Sequence, residues 1–139
     1  MKKTFYFPIL EKKVVAEDTY EITLDTKGSD FSFTSGQYVW ITIPEPKETD
    51  DRGDTRAFSI ASSPEENKIR VVFRNPKDSS AFKRNILQMQ TGEKLKILGP
   101  FGFFTIKTEE KNDLVFIAGG VGISPFLSIF KENRFFAGH

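Results

Sequence analysis

The sequence predicts a mainly β protein: a small barrel or sandwich of short strands with one capping helix, followed by the first strand and helix of an α/β unit. Three observations carry this expectation. Over the first two thirds of the chain, apolar and polar residues alternate in short runs separated by turn residues. The alternation breaks between Ser79 and Gly92, where Phe82, Ile86 and Met89 recur at helical spacing. From Leu114 a continuous apolar run leads into a glycine-rich turn and a second helical pattern.

Taken in order, "KKVVAEDTYEITLDT" alternates on both sides of a turn, so Ile22 and Leu24 should face a core while Glu21, Thr23 and Asp25 face water. "SGQYVWITIP" reads as a strand starting at Gly36 and stopping at Pro44. "EPKETDDRGD" (45–54) is polar and rich in turn residues, the signature of a mobile surface loop. "DTRAFSIASSP" and "KIRVVFRN" supply two more strands. In "SSAFKRNILQMQTG", Ser79 or Ser80 can cap a helix and Gly92 lies just past its end. "EKLKILGPFG" returns to strand, and the polar stretch 106–113 looks like a domain boundary. The organisation expected is therefore one unit over 1–107 and the start of another over 108–139. In the second, Leu114–Ile117 suits a buried parallel strand, Ser124 can act as N-cap and Pro125 fits the first helical position.

Composition removes several functions. The chain of 139 residues has no Cys, so disulfides, thiolate metal sites and a Cys nucleophile are impossible within it. The one His is the terminal residue, His139, which reads as a frayed end and argues against a histidine metal site or a Ser–His triad. A net charge of +1 argues against a general nucleic-acid binder. The N-terminal "MKKTFYFPILEKK" is broken by Pro8, and no run approaches the ~20 apolar residues of a membrane span. A cytoplasmic location is the expectation.

Three segments carry chemistry. In "GGVGISP", Gly119, Gly120 and Gly122 lead to a helix start whose free N–H groups and dipole suit a phosphate. An ordinary strand-to-helix turn would have the same residues, and the full G-x-G-x-x-G pattern is absent. In "NPKDSSAFKR", Ser79, Ser80 and the helix amides could hold a phosphate or diphosphate, with charge from Lys77, Lys83 or Arg84; a plain capped surface helix is the alternative. In "TRAFS", Arg56 and Phe58 share one strand face, so Arg56 could fork onto a phosphate while Phe58 stacks on a planar ring and Ser59 hydrogen-bonds a ring nitrogen. Alternatively Phe58 is core and Arg56 snorkels.

The three segments occur in a telling order. "RAFSIASSP", then "SAFKRNILQMQTGEKLKILGPFGFF", then "VFIAGGVGISPF" resemble the ferredoxin–NADP reductase superfamily of flavoenzymes. The resemblance implies a six-stranded antiparallel flavin-binding barrel with a short helix closing one end, followed by a nucleotide-binding domain. It assigns Arg56 to a flavin phosphate, Phe58 to the isoalloxazine face and Ser59 to the neighbourhood of flavin N5. Ser80, with Ser79 beside it, falls to the pyrophosphate, and the Val71–Val72–Phe73 strand to backbone contacts with the flavin. Gly119, Gly120, Gly122, Ser124 and Pro125 fall to NADH or NADPH. FAD is favoured over FMN because the Ser80 helix suits a diphosphate. Phe58 stands where the family has Tyr, so an aromatic face for stacking is kept without the phenolic hydroxyl.

The implied activity is hydride transfer from NAD(P)H to FAD and electron transfer onward to an unknown acceptor, with Ser59 as the positioning residue at N5. A flavin-binding module without complete activity, and a barrel with no flavin, are the competing readings. Most of the expected nucleotide domain is missing from the sequence. Apolar residues of 113–136 would then fold back on the barrel, self-associate or remain poorly ordered.

Overall fold

The computed structural model describes residues 2–107 and 111–132. Its strands are β1 (Thr4–Ala16), β2 (Thr19–Asp25), β3 (Tyr38–Thr42), β4 (Thr55–Ser59), β5 (Lys68–Arg74) and β6 (Lys94–Phe101). Helix α1 (Ala81–Gln88) lies between β5 and β6, and α2 (Ser124–Lys131) follows a 3-10 turn over Gly120–Ile123. The strands form one six-stranded sheet in the order β4-β3-β6-β1-β2-β5. All its pairings are antiparallel.

Pro8 marks where β1 changes partners. Thr4–Pro8 pairs with β6, and Ile9 onward pairs with β2, with a register shift after Ile9. A proline cannot donate to a ladder, so it is tolerated where one pairing ends and another begins.

The sheet curls until its edge strands approach. Ala61 N–H donates to the Arg70 carbonyl at 2.8 Å. The Ser62 hydroxyl donates to Lys68 O at 2.8 Å and accepts from Arg70 N–H at 3.1 Å. Inside lie the alternating residues of every strand, among them Ile9, Ile22, Leu24, Ile41, Val71 and Ile97. Phe82 and Ile86 of α1 join this core. Burying such side chains stabilises by about 1.5–3 kcal/mol each.

Several elements differ from expectation for physical reasons. Thr23 is buried rather than wet, because the Arg70 guanidinium lies over it, held by Glu21 (3.0 Å) and Glu66 (3.2 Å). The 45–54 loop is pinned rather than mobile: the buried Asn85 side chain accepts from the Lys47 and Glu48 amides at 3.1 and 3.3 Å and donates to Glu48 O at 2.7 Å. Gly36 precedes β3, which begins at Tyr38. Leu114–Ile117 is not a strand: among the described residues no other strand runs alongside it to complete a ladder. Helix α2 instead folds back on the barrel, burying Phe126 and Ile129. There Ser128 Oγ donates to Ser62 O at 2.5 Å, and Ser35 Oγ to Ser128 O at 3.2 Å. The expectations about His139, Phe135 and Phe136 lie outside the described residues.

Candidate functional site

Backbone alternation leaves one polar cleft in the curled sheet. On β4, Ile60 N–H donates to Gln37 O and Asp54 O accepts from Ile43 N–H, so even-numbered residues turn toward β3. Ala57 and Ser59 therefore turn their backbone groups to the open edge, in phase with Ala61. On β5, Asn75 N–H donates to Asp18 O, so odd-numbered residues turn toward β2. Val72 and Arg74 face the same opening. Phe73 presents its backbone to β2 and contributes its ring instead. The two edges thus turn backbone groups of Ala57, Ser59, Val72 and Arg74 toward a shared opening.

At the end of the gap nearest α1, Phe58 is half-buried, its ring centroid 6.0 Å from Phe73 and 5.8 Å from Phe82. Arg56 lies with its guanidinium 5.3 Å from the Phe82 centroid. Its Nη1 donates to the carbonyls of Thr55 (2.7 Å), Arg52 (2.7 Å) and Gly53 (3.1 Å). Its Nη2 is buried with no hydrogen-bond partner. Arg56 and Phe58 share the inward face, across from Ile41 and Val39, and Ser59 lies on the outward one.

Positive charge collects at the start of α1. Lys83 is held below the usual lysine range, first by burial and then by repulsion from Arg52, Arg56 and Arg74. Ser80 is the N-cap residue, yet its side chain caps nothing and its buried Oγ has no partner. Asp50 caps the helix instead: Ala81 N–H donates to Asp50 Oδ2 at 2.7 Å. Ser79 is half-buried beside it, its carbonyl accepting from Arg84 Nη1. Arg84 is committed to Glu48 at 2.5 Å, which raises its pKa, and Lys77 is exposed. Neither acts on Lys83, although Arg84 does act electrostatically on Asp50.

The glycine turn has a cavity on each side. One, of about 410 Å3, brings Ser59 together with Gly119, Gly122 and Pro125. The other, of about 490 Å3, brings Gly120 to Val72 and Arg74. Ser124 does not cap α2 as expected: it is the first helical residue, and its hydroxyl donates to Val121 O at 2.7 Å. Pro125 sits in the first turn, as the missing proline N–H allows.

Sequence reasoning missed Arg52, Arg74 and Asp50. They come from a loop and a strand end remote from Lys83 in the chain, and only folding gathers them. The one available signal was Asn85, a polar residue on the buried face of α1, which demands partners.

A curled antiparallel sheet with an open edge, an aromatic floor and cations around a helix start defines a class of nucleotide-cofactor barrels. Within that class the chain belongs to the FAD-binding domain family, whose model matches residues 4–118. It is 36% identical over 93 residues to the phenol hydroxylase P5 protein of Acinetobacter pittii, covering 66% of this chain and 25% of the relative. It is 26% identical over 132 residues to terephthalate 1,2-dioxygenase reductase component 1 of Comamonas, covering 94% of this chain and 37% of the relative. A Neisseria gonorrhoeae ferredoxin NADP+ reductase, solved with bound FAD and NADP, superposes with a TM-score of 0.78 at 22% identity, covering 96% of this chain and 52% of that one. The chain thus spans a quarter to somewhat over a third of these curated relatives. No helix among the described residues is long and apolar enough to cross a membrane.

Proposed function

We propose that this chain is the flavin-holding part of an oxidoreductase that takes hydride from NADH or NADPH and passes electrons to a further acceptor. One observation carries the reading: Arg56 Nη2 and Ser80 Oγ are buried without partners, and Arg52, Arg56 and Arg74 concentrate charge around Lys83 three residues beyond Ser80. Unsatisfied buried polar atoms are costly, and a diphosphate would satisfy both. FAD fits this arrangement better than FMN.

In this reading Arg56 and Ser80, with Ser79 alongside, hold the phosphates. Phe58 supplies an apolar face to the ring system, backed by Phe73. The edge amides of Val72 and Ser59 orient the ring, and Ser59 positions it at N5. FAD supplies the hydride and electron chemistry when bound; the polypeptide binds, orients and excludes water. Gly119 and Gly122 would receive the nicotinamide nucleotide. Neither has positive φ, and a Cβ on either would meet nothing within 4 Å, so neither backbone strain nor protein crowding requires glycine there. Close approach of a ligand would.

The test is a visible absorption spectrum of the chain titrated with FAD, then with NADH and NADPH. Yellow protein bleached quickly by a nicotinamide nucleotide supports the whole reading. Yellow protein bleached only by dithionite favours a flavin-binding module, a reading supported by the unpaired Leu114–Ile117 segment. Colourless protein that ignores FAD sinks both. Ser59→Ala should slow flavin reduction several-fold while FAD affinity changes less; equal rates would remove Ser59 from the N5 position. A cytoplasmic location and self-association through 113–136 belong to the same proposal.

A further inference from the structure

The start of α1 already holds an anion. Asp50 Oδ2 accepts the Ala81 N–H at 2.7 Å and Oδ1 accepts the Arg52 N–H at 3.0 Å. Both contacts lie inside the cation cluster, and Arg52 and Arg56 both act electrostatically on this carboxylate. Next to it Ser80 Oγ has no hydrogen-bond partner, on a residue only 8% exposed. The helix start therefore offers one amide that is taken and one buried hydroxyl that is not.

We infer that Asp50 is the resident anion of the cofactor's phosphate site and sets its affinity. This rests on reading the α1 start as that site. One N–H serves one strong acceptor, and two anions at one helix terminus repel. A phosphate oxygen that takes the Ala81 amide therefore displaces the Asp50 carboxylate. The release is local. Lys47 and Glu48 stay pinned by Asn85 and Arg84, and Asp54 by the Ile43 amide, whereas the tip between them is tied down by Asp50 and by Arg56 Nη1 on the Arg52 and Gly53 carbonyls. The same guanidinium thus grips the loop tip with one nitrogen while its Nη2 stays buried without a partner. Binding a phosphate and letting go of the tip become two sides of one exchange.

The experiment uses the full chain with inorganic diphosphate as probe. Calorimetric titration of wild type, Asp50→Asn and Asp50→Glu measures affinity, and amide hydrogen exchange of 49–54 follows the loop. Removing the competing charge should tighten diphosphate binding by about 2–5-fold in Asp50→Asn, with Asp50→Glu close to wild type. In wild type, diphosphate should accelerate exchange at 49–54. Equal affinities for wild type and Asp50→Asn, or unchanged or slower loop exchange in wild type with diphosphate bound, would overturn the role of Asp50 and leave the phosphate site standing. Diphosphate bound by none of the three proteins would overturn the site and this inference together. The exchange measurement on wild type needs no variant, so a misfolded substitution does not rescue the idea.

Discussion

Gly36 shows how much a single residue can decide. Its φ is +99°, a conformation that side-chain-bearing residues seldom adopt, and a Cβ there would lie 1.7 Å from the Phe104 carbonyl oxygen. Backbone cannot retreat as a flexible side chain can. Gly36→Ala should therefore destabilise the protein by about 2–4 kcal/mol, read as a lowered urea midpoint. An unchanged midpoint would mean that the crossing of 102–105 over Gly36 is not made in solution. The sequence pointed to Gly36 as a strand start, because a glycine before an apolar run has several meanings and only the tertiary approach of Phe104 selects one. Arg56, Phe58 and Ser59 were legible because they are neighbours whose chemistry is local. Lys83 was legible as a candidate charge beside Ser80; Asp50, Arg52 and Arg74 were not, since each reads as an ordinary surface charge until the fold gathers them.

Elements were legible in proportion to how much of their logic is periodic. β2 to β5 follow the expected runs and β6 follows "EKLKILGPFG", but β1 was expected only from Lys12, and its Thr4–Glu11 half, which carries the pairing with β6, was not. The connection between β3 and β4 was misread because polarity hides attachment. Its grip on α1 depends partly on Asp50, whose carboxyl is held below the usual carboxylate range chiefly by the Ala81 amide. A depressed native pKa means stabilisation that is present above the unfolded value of about 3.9 and lost as pH falls through the folded one. Acidification below about pH 4 should thus free 49–54 while the barrel core persists, and Asp50→Asn should abolish that acid step in loop exchange. Helix α2 offers a second element-level test. Ser128 is fully buried and ties α2 to Ser62 and Ser35. Ser128→Val strands the Ser62 carbonyl, at a cost of about 1–3 kcal/mol. Exchange should speed up across 124–131 with little change in β1–β6; unaltered protection of α2 would show that its docking does not rely on this serine.

At the scale of the whole molecule, an apolar surface beyond β6 stands out against an otherwise ordinary exterior. Phe103 is 100%, Val115 86% and Ile117 87% exposed, and Leu114 and Phe104 are half-exposed beside them. The sequence foresaw apolar residues here in search of a cover, because a buried-strand pattern with no second strand leaves two faces and two edges unpaired. Folding back on the barrel was one of the outcomes expected; that α2 does so through Ser128, with the 114–117 side left open, depends on tertiary contacts with Ser62 and Ser35. Covering a Phe or Ile is worth about 1.5–3 kcal/mol, so several together favour any surface that fits them. The covering available to a chain alone in solution is a second copy, and mass action then makes association depend on concentration. The apparent mass by sedimentation should fall on dilution, and Val115→Asp should hold the protein monomeric at every concentration, because a buried carboxylate at such a contact has no compensating partner. FAD titration of that variant should match wild type, since Val115 lies away from Arg56 and Ser80. A dilution-insensitive monomer in both proteins would remove self-association and leave the flavin reading untouched, which separates the two claims cleanly.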